Sequence, residues 1–267
     1  MKYAPTVLIT GGASGLGRAL AEQAAAAGYR VAVADIHQTR GEDLCRGLTQ
    51  AGAECFFVEC DVRRETDLRR AVERVLRRWQ QLDLLINCAG VASTGLFEAI
   101  PQEDWDWLFD INVMGTVRAC RAAVSVMKRQ RRGHIVNIAG IGGLAPGPAM
   151  STWNAAQAAV INLSDSLSAE LDPEDIGVTV ACPDFFRTHL AESLRAPDPI
   201  SEVRFERLMD NPDLNATRAA EAILKAVERK QDRVLPGSEA RRAHRQKRWR
   251  PARFRRRMAE LATRFRR

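Results

Sequence analysis

A glycine-rich stretch near the amino terminus has the spacing of a site for a diphosphate group. In "TGGASGLG", Gly11, Gly15 and Gly17 follow a run of β-branched residues and open a helical pattern. Glycine there permits a tight turn and close approach of a pyrophosphate to the backbone, while the helix start supplies free N–H groups and a positive dipole. A tight strand-to-helix turn alone would also favour glycine. However, the next strand-like run ends in Asp35, where a carboxylate accepts hydrogen bonds from adenosine ribose hydroxyls, so the pattern predicts a dinucleotide site.

Asp35 also predicts which dinucleotide is preferred. A carboxylate repels the 2′-phosphate of NADP. The residues directly after it, Ile36, His37 and Gln38, include no Arg or Lys. NAD(H) is therefore favoured over NADP(H). Arg40 lies near enough to weaken this preference, and its alternative interpretation is a solvated cation at the start of the next helix.

The elements that must position these residues alternate along the chain. Apolar, β-branched runs occupy 7–10, 31–36, 55–60, 84–90, 134–140, 178–183 and 233–237, and the helical patterns between them include 18–27, 65–79, 103–129 and 152–171. Consecutive parallel strands need such long crossovers. We predict an α/β fold, a doubly wound parallel sheet forming a single domain over residues 1–240, in which 189–214 is a long mobile insertion.

Composition narrows the class of protein further. The chain has 267 residues and 46% hydrophobic content, enough for one sizeable core. No apolar run approaches the roughly 18 residues of a membrane span, and no signal-peptide pattern precedes the first strand, so a cytoplasmic location is expected. Six scattered cysteines favour buried thiols over a disulfide framework. His134 is interpreted as a residue at the edge of a strand, and no metal site is predicted.

The net charge of +7 comes from the carboxyl terminus. Residues 241–267 contain 13 Lys and Arg against a single acid, and after Pro251 an apolar stripe recurs at helical spacing in Phe254, Met258, Leu261 and Phe265. A basic amphipathic helix of this kind binds an anionic membrane or an acidic partner, and peripheral association with the inner membrane surface is favoured over nucleic acid. Alternatively, the stripe packs on its own domain or on a dimer mate.

Several motifs together resemble the classical short-chain dehydrogenase/reductase family over residues 4–237. "TGGASGLG" is similar to its cofactor loop, "CDV" to its adenine-contacting segment and "NCAG" to the signature after its fourth strand. Asn112 in "DINVMG" matches a helix asparagine that helps to hold a water in the proton relay, and Thr188 in "CPDFFRT" matches a threonine that binds the nicotinamide carboxamide. The resemblance implies a seven-stranded Rossmann sheet with nicotinamide at the carboxyl ends of its strands. It also implies a homodimer or homotetramer formed partly through the helix that carries Trp153.

The resemblance implies a set of cofactor-binding positions. They are Thr10, Gly11, Ser14, Gly15, Leu16, Gly17, Asp35, Ile36, Asp61, Val62, Asn87, Ala89, Gly90, Pro183 and Thr188.

The sequence departs from the family where its chemistry should be. Members use a serine to bind the substrate oxygen, a tyrosine to transfer the proton and a lysine to lower the tyrosine pKa; these positions fall on Gly140, Trp153 and Gln157. An indole N–H is no usable acid, a carboxamide does not titrate, and glycine has no side chain. The only tyrosines, Tyr3 and Tyr29, lie in or beside the first two strands, far from the predicted site.

Other groups could replace the missing ones. Asp184 stands where the family has glycine, and His189 follows Thr188; a desolvated carboxylate and a histidine could both move a proton. The alternatives are that Asp184 caps a turn and His189 is a solvated loop residue. Trp153 either fills the substrate cavity or serves as a stacking platform in an open pocket.

Two hypotheses for function follow. In the first, the chain is a non-catalytic or weakly active NAD(H)-binding member of the family, acting as a regulatory or structural subunit. In the second, it is an oxidoreductase of an apolar alcohol or carbonyl compound in which Asp184, His189 or water moves the proton. A third possibility is that the changes at Gly140, Trp153 and Gln157 were introduced into an active parent. The substrate or effector itself is not indicated.

Overall fold

Seven parallel strands form one sheet in the computed structural model, which describes residues 4–265. The strands are β1 (Thr6–Thr10), β2 (Arg30–Asp35), β3 (Cys55–Glu59), β4 (Leu84–Asn87), β5 (Gly133–Ile138), β6 (Ile176–Ala181) and β7 (Arg233–Val234). Their spatial order is β3-β2-β1-β4-β5-β6-β7. Every residue of β1 is buried, as expected for a strand covered on both faces, which is why these runs are continuously apolar rather than alternating.

Helices cover both faces of the sheet. They are α1 (Gly15–Ala26), α2 (Gln38–Gln50), α3 (Glu65–Trp79), α4 (Gln102–Phe109), α5 (Gly115–Gln130), α6 (Ile141–Leu144), α7 (Ser151–Leu171), α8 (Pro199–Met209), α9 (Ala216–Glu228), α10 (Ser238–Trp249) and α11 (Pro251–Phe265). One apolar cluster joins the sheet to α3, α5 and the end of α7, and a second joins it to α1, α2 and α9. The predicted doubly wound α/β fold is confirmed.

Two segments differ from the sequence-based prediction. The helical pattern over 103–129 is divided, because a π-helical turn, Asp110–Met114, lies between α4 and α5. The segment 189–214, predicted as a long mobile insertion, contains α8. The start of this helix is fixed by Asp198, whose carboxylate accepts from Ser201 N at 2.8 Å, and Pro199 occupies the first turn.

The basic tail folds back on the domain as a helical hairpin of α10 and α11. The first helix begins at Ser238 rather than after residue 240. Phe254 is buried, and Met258, Leu261 and Phe265 are half-buried. The predicted apolar stripe therefore packs against the chain's own helices, which favours the second of the two interpretations considered for it.

The carboxyl end of this hairpin is attached to α8. The Arg204 guanidinium lies 4.6 Å from the centre of the Phe265 ring and donates a hydrogen bond to the Phe265 carbonyl at 3.1 Å. None of the helices within residues 4–265 is long and apolar enough to cross a bilayer.

His134 lies near the beginning of β5 and is largely buried. Its Nε2 is 2.8 Å from Thr179 Oγ1. The Thr179 hydroxyl donates its only proton to the Gln231 carbonyl at 2.6 Å, so Nε2 must carry the hydrogen. Burial lowers the pKa of His134 from 6.5 to about 4.

This burial predicts a loss of stability in mild acid. Below pH 6.5 the His134 ring binds a proton in the unfolded chain but stays neutral in the folded protein. The free energy of unfolding should therefore fall as the pH drops from 6.5 towards about 4, and His134 should add no pH dependence above 6.5. His134→Gln keeps a donor for Thr179 and should remove up to about 3 kcal/mol of the acid-dependent loss. The measurement is the free energy of unfolding in urea for the parent and the variant between pH 7.5 and 4.5, with each protein compared with its own value at pH 7.5. Identical pH slopes would refute the assignment.

Candidate functional site

A cavity of about 530 Å³ opens at the carboxyl ends of the central strands. Its wall includes Gly11 after β1, Asp35 at the end of β2, Gly90 after β4, Gly140 after β5 and Pro183 after β6. Because all seven strands are parallel, the loops that follow them meet at one edge of the sheet. The sheet topology thus brings together residues that are far apart in the sequence.

The glycine-rich loop forms a backbone cradle at one end of the cavity. Gly11 has a φ of 63°, and a Cβ there would lie 2.6 Å from the Ala89 Cα. A Cβ on Gly17 would overlap the Gly11 carbonyl oxygen. The first backbone hydrogen bond at the start of α1 runs from Arg18 N to Ser14 O, which leaves the N–H groups of Gly15, Leu16 and Gly17 available. The Gly12 and Ala13 N–H groups already donate to Ala34 O and to Asp35. A diphosphate fits this arrangement, because its oxygens need backbone donors without intervening side chains.

Asp35 is held rigidly in the cavity wall. Its side chain is buried, with one oxygen accepting from Ala13 N at 2.9 Å and the other from His37 N at 3.0 Å. Each oxygen retains a further acceptor site, so the carboxylate can still receive two hydroxyl groups. The same contacts connect the end of β2 to the glycine loop.

Arg40 is exposed in the first turn of α2, in agreement with a solvated cation at the start of that helix, and it also has an ion-pair partner. Its Nη1 lies 2.8 Å from Glu192 Oε2, and both side chains are about half exposed at the rim of the cavity. This ion pair connects the start of α2 to the turn at His189–Ser193.

The predicted adenine-contacting segment also reaches the cavity. Asp61, Val62 and the exposed Ile36 line it. Two nitrogens of the Arg63 guanidinium donate to the Asp61 carboxylate, at 3.0 and 2.7 Å. These hydrogen bonds lower the pKa of the Asp61 carboxyl. Asp61 is therefore held in its charged form.

Thr10 and Asn87, two of the predicted cofactor-binding residues, lie behind the cavity wall. Thr10 Oγ1 accepts from Cys88 N at 3.2 Å and from Ala89 N at 3.4 Å. Asn87 Nδ2 donates to Asn137 Oδ1 at 2.8 Å. Neither Thr10 nor Asn87 lines the cavity. Their side chains are bonded inside the sheet and loops, and their contact with a cofactor stays a prediction.

Sequence reasoning missed the buried amide network to which Asn87 belongs. Asn137 Nδ2 donates to Ser164 Oγ at 2.9 Å, and that hydroxyl donates to the Val160 carbonyl at 2.7 Å. The available signal was an asparagine inside each of two apolar strands, at positions that prove to be paired in register.

Asn112 secures the loop after β4. Its Oδ1 accepts from Val91 N at 2.9 Å, and its Nδ2 donates to Val91 O at 3.0 Å. The residue sits in the π-helical turn, a feature that recurs at functional sites. The water-holding role implied by the resemblance remains a prediction.

The three departing positions come together at the other end of the cavity. Trp153 and Gln157 lie one turn apart on α7 and face Gly140: a Cβ at residue 140 would be 3.7 Å from both Trp153 Nε1 and Gln157 Cγ. Trp153 is 8% exposed and packs in a cluster with Leu108, Met150, Phe205 and Met209. Its indole N–H is buried and has no acceptor among the described residues. The tryptophan thus belongs to the core and also lines the cavity.

Asp184 is engaged in holding the protein's own backbone. Its Oδ1 accepts from Phe185 N at 2.9 Å and its Oδ2 from Asn211 Nδ2 at 3.4 Å, and the Ala240 N–H in the first turn of α10 favours its charged form. Burial raises the pKa of the carboxyl, and the backbone N–H donors oppose that shift. The contact with Phe185 N agrees with the interpretation that Asp184 caps the turn that follows it, and its side chain also lies against Gly237, directly before the tail hairpin.

His189 and Thr188 lie at the cavity rim. The His189 side chain is 51% exposed, with Nε2 4.0 Å from Glu192 Oε1, in agreement with a solvated loop residue. Thr188 Oγ1 accepts from Leu190 N at 3.1 Å and begins the short turn.

Neither of the usual catalytic residue types is present in the cavity wall. Its lining, taken over residues 4–265, includes no lysine and no tyrosine. Tyr29 immediately precedes β2, at the opposite edge of the sheet, and Tyr3 lies outside the described residues. Within the same range, no three His, Cys, Asp or Glu side chains are grouped to hold a metal ion.

A family model described as short chain dehydrogenase matches residues 5–199. The chain belongs to the short-chain dehydrogenase/reductase family. It is similar to the CLA biosynthesis dehydrogenase/reductase of Lactiplantibacillus plantarum, with 33% identity over 187 residues, 69% of this chain and 65% of that protein. It therefore spans less than two thirds of that relative. A 3-oxoacyl-[acyl-carrier-protein] reductase from Staphylococcus aureus is 29% identical over 195 residues, covering 73% of this chain and 79% of the relative.

Solved structures of the family share the fold. A short-chain dehydrogenase/reductase from Burkholderia phymatum, in complex with NAD, has a TM-score of 0.87 at 27% identity and covers 91% of this chain and 92% of its own. A short-chain dehydrogenase from Sphingobium yanoikuyae, in complex with NADPH, has a TM-score of 0.75 at 30% identity, with 88% of each chain covered. The chain thus has the NAD(P)-binding fold of this oxidoreductase family, whose members include complexes with either dinucleotide.

The space around Gly140 predicts that a short-chain dehydrogenase serine can be restored there. Gly140→Ser places its Cβ at ordinary contact distances, so the free energy of unfolding should change by less than about 1 kcal/mol. Gly143→Ser is the matched control, because its Cβ would lie 2.7 Å from backbone atoms of Gln157 and Ala158. It should lose at least about 2 kcal/mol. Equal urea midpoints for the two variants would contradict this geometry.

Proposed function

We propose that the chain is an NAD(H)-binding member of the short-chain dehydrogenase/reductase family that does not perform the usual proton transfer. It would act as a dinucleotide-dependent regulatory or structural subunit. The observation that carries this proposal is the meeting of Gly140, Trp153 and Gln157 at the cavity end where the family's catalytic groups belong.

The residues that would hold the dinucleotide are distributed along the cavity. The N–H groups of Gly15, Leu16 and Gly17 would donate to the diphosphate, Asp35 would accept from the adenosine ribose, and Asp61 with Val62 would border the adenine. Gly90, Pro183 and Thr188 border the nicotinamide end. When bound, the nicotinamide group donates or accepts a hydride.

For the reduction of a carbonyl group, the cavity lacks the proton donor that the family uses. Such a reduction requires an acid whose pKa is close to working pH, next to the substrate oxygen. The Trp153 indole and the Gln157 carboxamide are neutral donors that do not titrate. They can hold a carbonyl or carboxylate oxygen without protonating it, so a ligand binds there but is not converted.

The second candidate is an active oxidoreductase of an apolar alcohol or carbonyl compound. Burial raises the pKa of Asp184, His189 is at the rim, and relatives are named as reductases. In this case Asp184, His189 or water would move the proton. We favour the first candidate, because the Asp184 carboxylate already accepts from Phe185 N and Asn211 Nδ2 and the N–H groups of Phe185 and Ala240 stabilise its charged form.

We further propose that the protein forms a homodimer or homotetramer in part through α7, as the family resemblance implies. The exposed positions of that helix include Ala155, Asn162 and Asp165.

The Asp35 carboxylate predicts a preference for NADH over NADPH. Calorimetric titration at moderate salt should give saturable NADH binding at micromolar concentration and at least about tenfold weaker NADPH binding, because the carboxylate repels a 2′-phosphate. Asp35→Asn should reduce that ratio to near one. Glu59→Gln removes one charge from the paired residue of β3, which does not line the cavity, and should leave the ratio unchanged. Tighter binding of NADPH by the unmodified protein would show that Arg40 outweighs Asp35.

If the first candidate is right, introducing the family's three catalytic side chains should give the protein reductase activity. The triple variant Gly140→Ser, Trp153→Tyr, Gln157→Lys should oxidise NADH with a β-keto ester or an aromatic ketone about a hundredfold faster than the parent. The matched control carries Trp153→Phe in place of Trp153→Tyr and lacks only the phenol hydroxyl. A parent as fast as the triple variant, and inactivated by Asp184→Asn or His189→Gln, would establish the second candidate instead.

A further inference from the structure

The helical hairpin of α10 and α11 carries a dense cationic surface. Nine of its arginines are exposed, namely Arg241, Arg242, Arg245, Arg248, Arg250, Arg253, Arg255, Arg256 and Arg257. Over Ser238–Phe265 the acids are Glu239 and Glu260 alone, and Glu239 already pairs with Arg242 at 3.3 Å. Most of this positive charge is therefore not neutralised by the hairpin itself.

A large aromatic side chain stands at the turn of the hairpin. Trp249 ends α10 and is 73% exposed, with the Arg248 guanidinium 5.5 Å from its ring centre. A tryptophan exposed to this degree is uncommon on a surface that contacts only water. Tryptophan is enriched where an apolar layer meets a polar one, as at the headgroup level of a bilayer.

Exposed apolar residues of α8 lie beside the same hairpin. Ile200, Arg204 and Leu208 are spaced four residues apart and share one face of α8. Arg204 is in contact with Phe265 at the end of α11, which places the exposed Ile200 and Leu208 next to the hairpin. The other face of α8 packs its Phe205 and Met209 in the cluster that contains Trp153.

We propose that the exposed arginines of the hairpin, with Trp249 and the Ile200–Leu208 row of α8, dock on an anionic lipid bilayer. Charge complementarity attracts arginines to the phosphate headgroups, and a tryptophan with neighbouring aliphatic side chains enters the boundary of the acyl layer. Nucleic acid supplies phosphates but no apolar layer to cover Ile200 and Leu208. The occupant argued here is therefore lipid, and the surface is distinct from the glycine loop, so this inference does not depend on dinucleotide binding.

Sedimentation with vesicles tests the proposal on the full-length protein. It should bind vesicles of phosphatidylcholine containing phosphatidylglycerol, and not vesicles of phosphatidylcholine alone. The variant Arg245→Glu, Arg253→Glu, Arg256→Glu should bind at least about a hundredfold more weakly. The matched control makes the same change of charge elsewhere, with Arg64→Glu, Arg121→Glu, Arg129→Glu, three exposed arginines of α3 and α5 and their flanks. It should bind almost as the parent does.

Two further measurements make the result specific. The tryptophan emission of the parent should shift to shorter wavelength on the anionic vesicles, and this shift should be lost in Trp249→Phe, which reports insertion of that side chain. Circular dichroism and the urea midpoint of each variant check that it remains folded. Equal loss in hairpin and control variants would overturn the proposal. So would binding to DNA, or self-association that only the hairpin variant abolishes, without vesicle binding by the parent.

Discussion

The close approach of the loops after β1 and β4 is the constraint on which the site depends. At Gly11 there is no room for even one side-chain carbon, because the Ala89 backbone lies where a Cβ would be. Thr10 and Asp35 fix the same junction, the first by accepting from Cys88 and Ala89 N–H groups and the second from Ala13 N. Three strand ends are thus held within hydrogen-bond reach of one another. The orientation of the α1 amino terminus, the candidate site for a diphosphate, is therefore set by this junction and not by α1 itself.

Contacts between residues that are near one another in sequence, or that are related by strand order, were predictable from the sequence. The alternation of apolar runs and helical patterns requires parallel strands, so the loop that contains Gly11 and the end of β2 at Asp35 had to meet. Trp153 and Gln157 face the same direction because they are four residues apart on α7. The partners that sequence reasoning missed are distant ones: Glu192 for Arg40, Asn137 for Asn87 and Ala240 for Asp184. Their pairing is set by how helices and loops pack, which no local pattern encodes.

The buried indole of Trp153 gives the altered site a chemical preference. An unpaired buried donor costs about 1–3 kcal/mol, and the Trp153 N–H has no acceptor among the described side chains and backbone. A ligand oxygen, or an ordered water, that accepts this hydrogen recovers part of that cost. Trp153 thus gives the cavity a donor that is suited to an oxygen acceptor. For that physical reason, the proposed function combines ligand binding with the absence of proton transfer.

Asp184 connects this altered site to the basic hairpin. It follows Pro183 in the cavity wall, its backbone N–H donates to the Pro236 carbonyl at 3.0 Å, and its negative charge lies near the first turn of α10, where the helix dipole stabilises it. At Gly237 the backbone has a φ of 101° and lies against the Asp184 side chain, so the chain turns into the hairpin over this residue. At the other end, Arg204 holds α11 to α8, whose inner face packs on Trp153. Asp184 therefore fixes the beginning of the hairpin beside the cavity, and these contacts account for a buried carboxylate at this place under the proposed function.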